Sequence, residues 1–181
     1  RAVAVADGIV YAADSAEGGL KALRLVSPGL FQPLYQANLF GTCDSLLADG
    51  KHLFVGHLNR GFRIFELPDA AAVETETSPV LTLVSSVLRN RSRVRAMVRV
   101  DDALVLANDQ IGVDMYNVAN PALPWLSHEF VFKDRGVLAQ SCALYRKNLY
   151  VPAWEAGLLI FRITDQPVPE EYNLENLRND E

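Results

Sequence analysis

The residues best suited to chemistry fall in four short polar stretches, each lying just ahead of a glycine and an apolar run. Asp14 and Glu17 are in the first, His57, Asn59 and Arg60 in the second, Asn108, Asp109 and Gln110 in the third, and Trp154 and Glu155 in the fourth. Carboxylates, amides, an imidazole and an indole brought to one face could hold a sugar, an ion or a peptide edge. Asn, Asp and Gly also dominate turns for backbone reasons alone, so the plain alternative is a set of solvated turn residues. A second cluster is cationic. Arg89, Arg91, Arg93 and Arg95 alternate within seven residues and share one side of an extended chain. The guanidinium fork suits carboxylate and phosphate, which makes this stretch a candidate docking patch for an acidic protein partner. Charge protecting an exposed strand edge accounts for it equally well.

Catalytic signatures are missing from the chain. Of the three histidines, His52 and His57 fall at opposite ends of one expected strand and His128 in another, so they do not form a ligand set, and no metal is expected. Asp14, Asp44 and Asp109 could offer oxygens to Ca²⁺, but no Asp-x-Asp-x-Asp-Gly loop frames them. There is no Gly-x-Ser-x-Gly elbow, no Gly-x-Gly-x-x-Gly and no phosphate-binding loop. No cofactor is expected.

Composition narrows the classes further. Half of the 181 residues are apolar and 22% are charged, the make-up of a folded globular chain. The net charge of −5, with 17 basic and 22 acidic residues scattered along the sequence, offers no positive field for a phosphate backbone, so nucleic acid is not an expected partner. No run approaches the roughly 18 consecutive apolar residues of a membrane-spanning helix. Cys43 and Cys142 stand 99 residues apart and are expected to be buried free thiols. The opening Arg1-Ala-Val-Ala-Val-Ala alternates as a strand does, as if the sequence began inside a protein or after processing.

The elements that must position these residues repeat four times. Each copy has an apolar stretch, a short polar turn, a glycine with a second apolar stretch, and a Pro-containing break. Residues 10–12 and 19–25 form the first copy, 53–55 and 61–67 the second, 104–106 and 112–118 the third, and 149–151 and 157–163 the fourth. Gly19, Gly61, Gly112 and Gly157 are separated by 42, 51 and 45 residues, a spacing close to that of four-stranded propeller blades. In the last three copies the apolar stretch starts eight positions before its glycine, which suits a turn needing positive φ. Further apolar stretches before and after each core complete four strands per copy, A to D: residues 2–6, 45–48, 94–100 and 141–145 supply A, and 33–39, 80–87, 123–132 and 168–174 supply D. The expected fold is all-β, four four-stranded β-propeller blades over residues 1–39, 40–88, 89–132 and 133–174, with a loop insert at 69–78 and a polar acidic tail at 175–181.

The run Gly112-Val113-Asp114-Met115-Tyr116-Asn117-Val118-Ala119-Asn120-Pro121-Ala122-Leu123-Pro124 resembles the signature of the LVIVD-repeat β-propeller family. Residues 157–169 are similar, with Thr164-Asp165-Gln166-Pro167 at the turn, and the first two copies match more loosely through Val26-Ser27-Pro28 and Leu67-Pro68-Asp69. The resemblance implies a propeller and an extracytoplasmic or cell-surface setting. It carries over no catalytic residue.

These features point to a non-catalytic binding or scaffold module that mediates protein–protein interaction in a larger assembly, with further blades or another chain to complete its ring. The competing reading is a small-ligand- or Ca²⁺-binding propeller enzyme, of hydrolase or lactonase type, using Asp14, His57, Asp109 and Glu155 at the channel mouth.

Overall fold

The computed structural model describes residues 2–14, 19–38, 41–58, 60–68, 81–89, 92–132, 137–163 and 170–172. Among them lie sixteen strands in four antiparallel sheets, each sheet a meander in chain order. The first sheet comprises β1 (Ala2–Ala6), β2 (Ile9–Asp14), β3 (Gly19–Ser27) and β4 (Leu30–Asn38). The second comprises β5 (Cys43–Asp49), β6 (His52–His57), β7 (Gly61–Glu66) and β8 (Thr82–Val87). In the third are β9 (Ala96–Val100), β10 (Ala103–Ala107), β11 (Gly112–Asn117) and β12 (Trp125–Val131). The fourth holds β13 (Ala143–Tyr145), β14 (Asn148–Pro152), β15 (Leu158–Arg162) and β16 (Glu170–Tyr172), and the one helical element among the described residues is the 3-10 turn Trp154–Ala156. The chain divides into two compact units, Arg1–Val94 with the first two sheets and Arg95–Glu181 with the last two. The insert at 69–78 and the tail at 175–181 lie outside the described residues.

Local geometry repeats from sheet to sheet. The first two strands of every sheet are joined by a two-residue hairpin, across which Ala6 pairs with Ile9, Asp49 with His52, Val100 with Ala103 and Tyr145 with Asn148. The first loop residue is left-handed each time: Asp7 at φ 48°, Gly50 at 58°, Asp101 at 49° and Arg146 at 56°. Such turns match the right-handed twist of the flanking strands. They also put three residues with a Cβ where glycine is the easier choice.

Further along, Gly61, Gly112 and Gly157 lead into the third strand of their sheets at φ 74°, 123° and 73°. A Cβ on Gly61 or Gly112 would overlap the backbone carbonyl of Val87 or Phe130 in the neighbouring outer strand, so the close approach as well as the dihedral selects glycine there. Gly19 does not share the positive φ, because four residues separate Asp14 from Gly19 where three separate His57 from Gly61. Six residues past each of the three later glycines, the Leu67, Val118 and Ile163 N–H groups donate to the carbonyls of Lys51, Asp102 and Lys147, at 2.8, 2.7 and 2.7 Å. Each acceptor stands ten residues before its glycine, so one clasp is repeated three times.

Sheet packing follows the alternation of the strands. Within the first unit Tyr11, Ala13, Leu20 and Ala22 of the first sheet pack with Cys43, Leu53, Val55 and Phe65 of the second. Within the second unit Val105, Ala107 and Val113 of the third sheet pack with Leu149, Val151 and Phe161 of the fourth, and the Phe130 and Phe161 rings meet edge-on at 5.1 Å. Burying each of the larger side chains is worth about 1.5–3 kcal/mol. The positions are equivalent by strand pairing: after the glycine the earlier sheet of a pair turns in odd offsets, Leu20, Ala22 and Val113, and the later sheet even ones, Phe65 and Phe161.

Candidate functional site

The described candidate residues sit, sheet by sheet, on or beside the polar turns between the second and third strands and on the connections that run past them. Four positions before the later glycines stand His57, Asn108 and Ala153, and the next position holds Leu58, Asp109 and Trp154. Asp109 and Trp154 both adopt left-handed backbone, at φ 45° and 47°. Asn108 N–H donates to Gly112 O at 2.8 Å and Ala153 N–H to Gly157 O at 2.7 Å, so the two turns close in the same way. The incoming connection to the next strand bridges the same position in each unit: Arg93 pairs with Leu58, and Ala139 N–H donates to Asp109 O at 2.9 Å.

In the third sheet the polar side chains are used to hold this turn. Asn108 is fully buried and donates from Nδ2 to Asp114 Oδ2, and Asp114 is itself fully buried. Arg95 donates to Asp109 Oδ2 from Nε at 3.2 Å and from Nη2 at 3.1 Å. Arg93 reaches Asp44 in the second sheet, Nε to Oδ2 at 2.8 Å. Two of the four arginines of the cationic stretch are thus engaged by carboxylates of their own unit, and the two aspartates they meet are ones the sequence offers as calcium ligands. Arg89 is half-buried. Arg91, Glu17 and Asn59 lie outside the described residues, and Asp14 closes β2.

His57 is different. It ends β6 with 1% of its surface exposed, and neither ring nitrogen has a hydrogen-bond partner. Burial, and then the positive charges of Arg63 and Arg60, push its pKa down to about 4; the Thr42 backbone lies close enough to offset this in part without reaching hydrogen-bond geometry. The imidazole is therefore neutral at pH 7. Its Nδ1 faces the side of Gly41, where an added Cβ would stand 3.6 Å from it and 3.9 Å from Arg60 Cδ. His52 occupies the far end of the same strand, and His128 lies in β12 beside an apolar recess lined by Met115, Phe130, Leu149 and Phe161. Among the described residues no three His, Cys, Asp or Glu side chains converge as metal ligands do.

Trp154 and Glu155 stand exposed on the fourth turn, the indole with 65% of the residue's surface accessible. Arg60 is exposed as well. The two cysteines are free. Cys43 is buried and Cys142 half-buried, and burial pushes both thiols up to about 12, with the Asp44 charge adding to the shift of Cys43. The ion pairs and the left-handed turn residues have no signal in the sequence alone. Arg93 and Asp44 are 49 residues apart, and nothing about Trp154 as a residue type marks positive φ.

No family model matches the sequence, and no curated protein matches it. Among solved structures the chain is similar to the computationally designed Ika4 protein, with a TM-score of 0.67 and 11% identity over 90% of each chain. It is also similar to the computationally designed Ika8 protein, with a TM-score of 0.66 and 10% identity. In that comparison 94% of this chain covers 46% of the other, so this chain spans about half the length of Ika8. At such identities the likeness is one of fold.

Proposed function

We propose that the four sheets are propeller-type blades and that the chain is a non-catalytic binding or scaffold module whose turn face engages a protein partner. The blade reading is supported by the repeated hairpins, the threefold clasp and the equivalent packing of successive sheets. The observation that carries the binding reading is Trp154: a large aromatic on a left-handed turn, with 65% of its surface left open. Exposed tryptophans of this kind serve as anchors when a partner covers them. Glu155 beside it supplies a polar contact. The resemblance of residues 112–124 to the LVIVD signature supports an extracytoplasmic or cell-surface setting.

The test is selection of displayed peptides on the immobilised chain, followed by titration of the selected peptides against Trp154→Ala. Loss of binding by tenfold or more supports the reading. Peptides that bind the variant equally well would remove Trp154 as the anchor.

The small-ligand alternative is favoured by one observation, the unpartnered neutral imidazole of His57 beside Gly41. Saturation of the His57 ring resonances by a screened metabolite would support it.

A further inference from the structure

The repeat assigns two faces to every sheet, and the first and last sheets each leave one of them open. In the second sheet Leu53, Val55 and Phe65 are buried, and in the fourth Leu149, Val151 and Phe161 are buried, in each case against the preceding sheet of the same unit. The first-sheet residues at these positions, Val10, Ala12 and Leu23, are only half-buried, and Val3 and Val5 on the same face are 64% and 61% exposed. The opposite face behaves likewise. Tyr11, Ala13, Leu20 and Ala22 in the first sheet and Val105, Ala107 and Val113 in the third are buried against the following sheet. Their counterparts in the fourth sheet, Tyr150, Pro152, Leu158 and Ile160, are half-buried or exposed, and Tyr145 beside them is 62% exposed.

From this we infer that a second copy of this chain docks head to tail, the open face of the fourth sheet of one copy packing on the open face of the first sheet of the other. The contact would continue the sheet-on-sheet packing that each unit already contains, using the same repeat positions on both sides. Both halves of the interface are present in one chain, so no other partner is needed to complete it. Each copy offers one face of each kind, so two copies can make the contact twice. The match of this chain to about half of the Ika8 chain fits a fold twice its length. Large exposed apolar patches on a sheet face are otherwise a liability. The inference rests on reading the sheets as blades.

Sedimentation equilibrium of the 181-residue chain, whose mass is 20.0 kDa, tests this directly, with twice that mass expected. A monomer overturns the proposal, whatever closes the faces. Val5→Glu and Leu158→Glu each change an exposed residue, so circular dichroism should show them folded, and each alone should be monomeric. Mixed together they should recover a heterodimer, because the intact fourth-sheet face of the first variant meets the intact first-sheet face of the second. Self-association of Leu158→Glu alone, or failure of the mixture to associate, also overturns it. Peptide binding at Trp154 is measured on the same monomeric variants, which separates loss of docking from loss of the binding function.

Discussion

Asn108 donates from its side-chain amide to the carboxylate of Asp114 at 2.5 Å, with both residues fully buried in the third sheet. A buried carboxylate stripped of a donor keeps its desolvation cost and loses the compensation. Asn108→Leu should therefore destabilise the chain by roughly 2–4 kcal/mol, while Asp114→Asn, which keeps an acceptor, should cost less. Urea unfolding of the two variants compares them. Equal losses would mean that packing around the pair matters more than the bond.

His57 makes stability depend on acid. Its folded pKa of about 4 lies below the ordinary 6.5, so between these values the unfolded chain binds the proton more readily. Stability is then full above pH 6.5 and falls as the pH drops toward 4, by about 3 kcal/mol in all at 1.36 kcal/mol per unit. His57→Phe should flatten that part of the curve. A slope unchanged by the substitution would assign the acid sensitivity to other groups.

The turn glycines should differ in what they tolerate. Alanine at Gly112 meets both the strained dihedral and the carbonyl of Phe130, whereas at Gly157 nothing stands within 4 Å of the added carbon. Gly157→Ala should cost about 1–2 kcal/mol from the dihedral alone, and Gly112→Ala distinctly more. Melting temperatures in the reverse order would refute the close-approach argument.

The cysteines should be slow to react. With thiol pKa values pushed up to about 12, the thiolate available at neutral pH falls on the order of 10³-fold below that of a free cysteine. Labelling with a disulfide reagent should proceed at that reduced rate in the native chain and rise to the free-thiol rate in urea. Fast native labelling would show that the chain opens locally around one of the thiols.

The strands were readable because period-two alternation and the recurring glycine are properties of contiguous residues. Each of the sixteen stretches overlaps an observed strand, with ends differing by a few residues, as in β5, which starts at Cys43 and not at Ser45. The two-residue hairpins were less visible, since Asp101 and Arg146 hold the left-handed position without glycine or asparagine to announce it. The arginine stretch shows the limit most clearly. Its alternation reads as a shared outward face, yet Arg93 and Arg95 turn to Asp44 and Asp109, partners that only the tertiary path of the connections brings near. His57 reads in the sequence as a polar turn residue, whereas it is buried with neither ring nitrogen partnered, a state that has no local signature.

Every strand pairing described here joins neighbours in the chain, so no sheet waits for a distant segment to thread into place. Loop-closure entropy is then small for each ladder, which favours rapid assembly of each meander from its own stretch of chain. During synthesis the first sheet can form as soon as its residues emerge, with the second completing a core against it before the later half exists. The same locality makes the sheet a unit of inheritance. Duplicating or deleting one such stretch of about 45 residues leaves every other ladder intact, a route by which a chain of this design can lengthen or shorten without losing its fold.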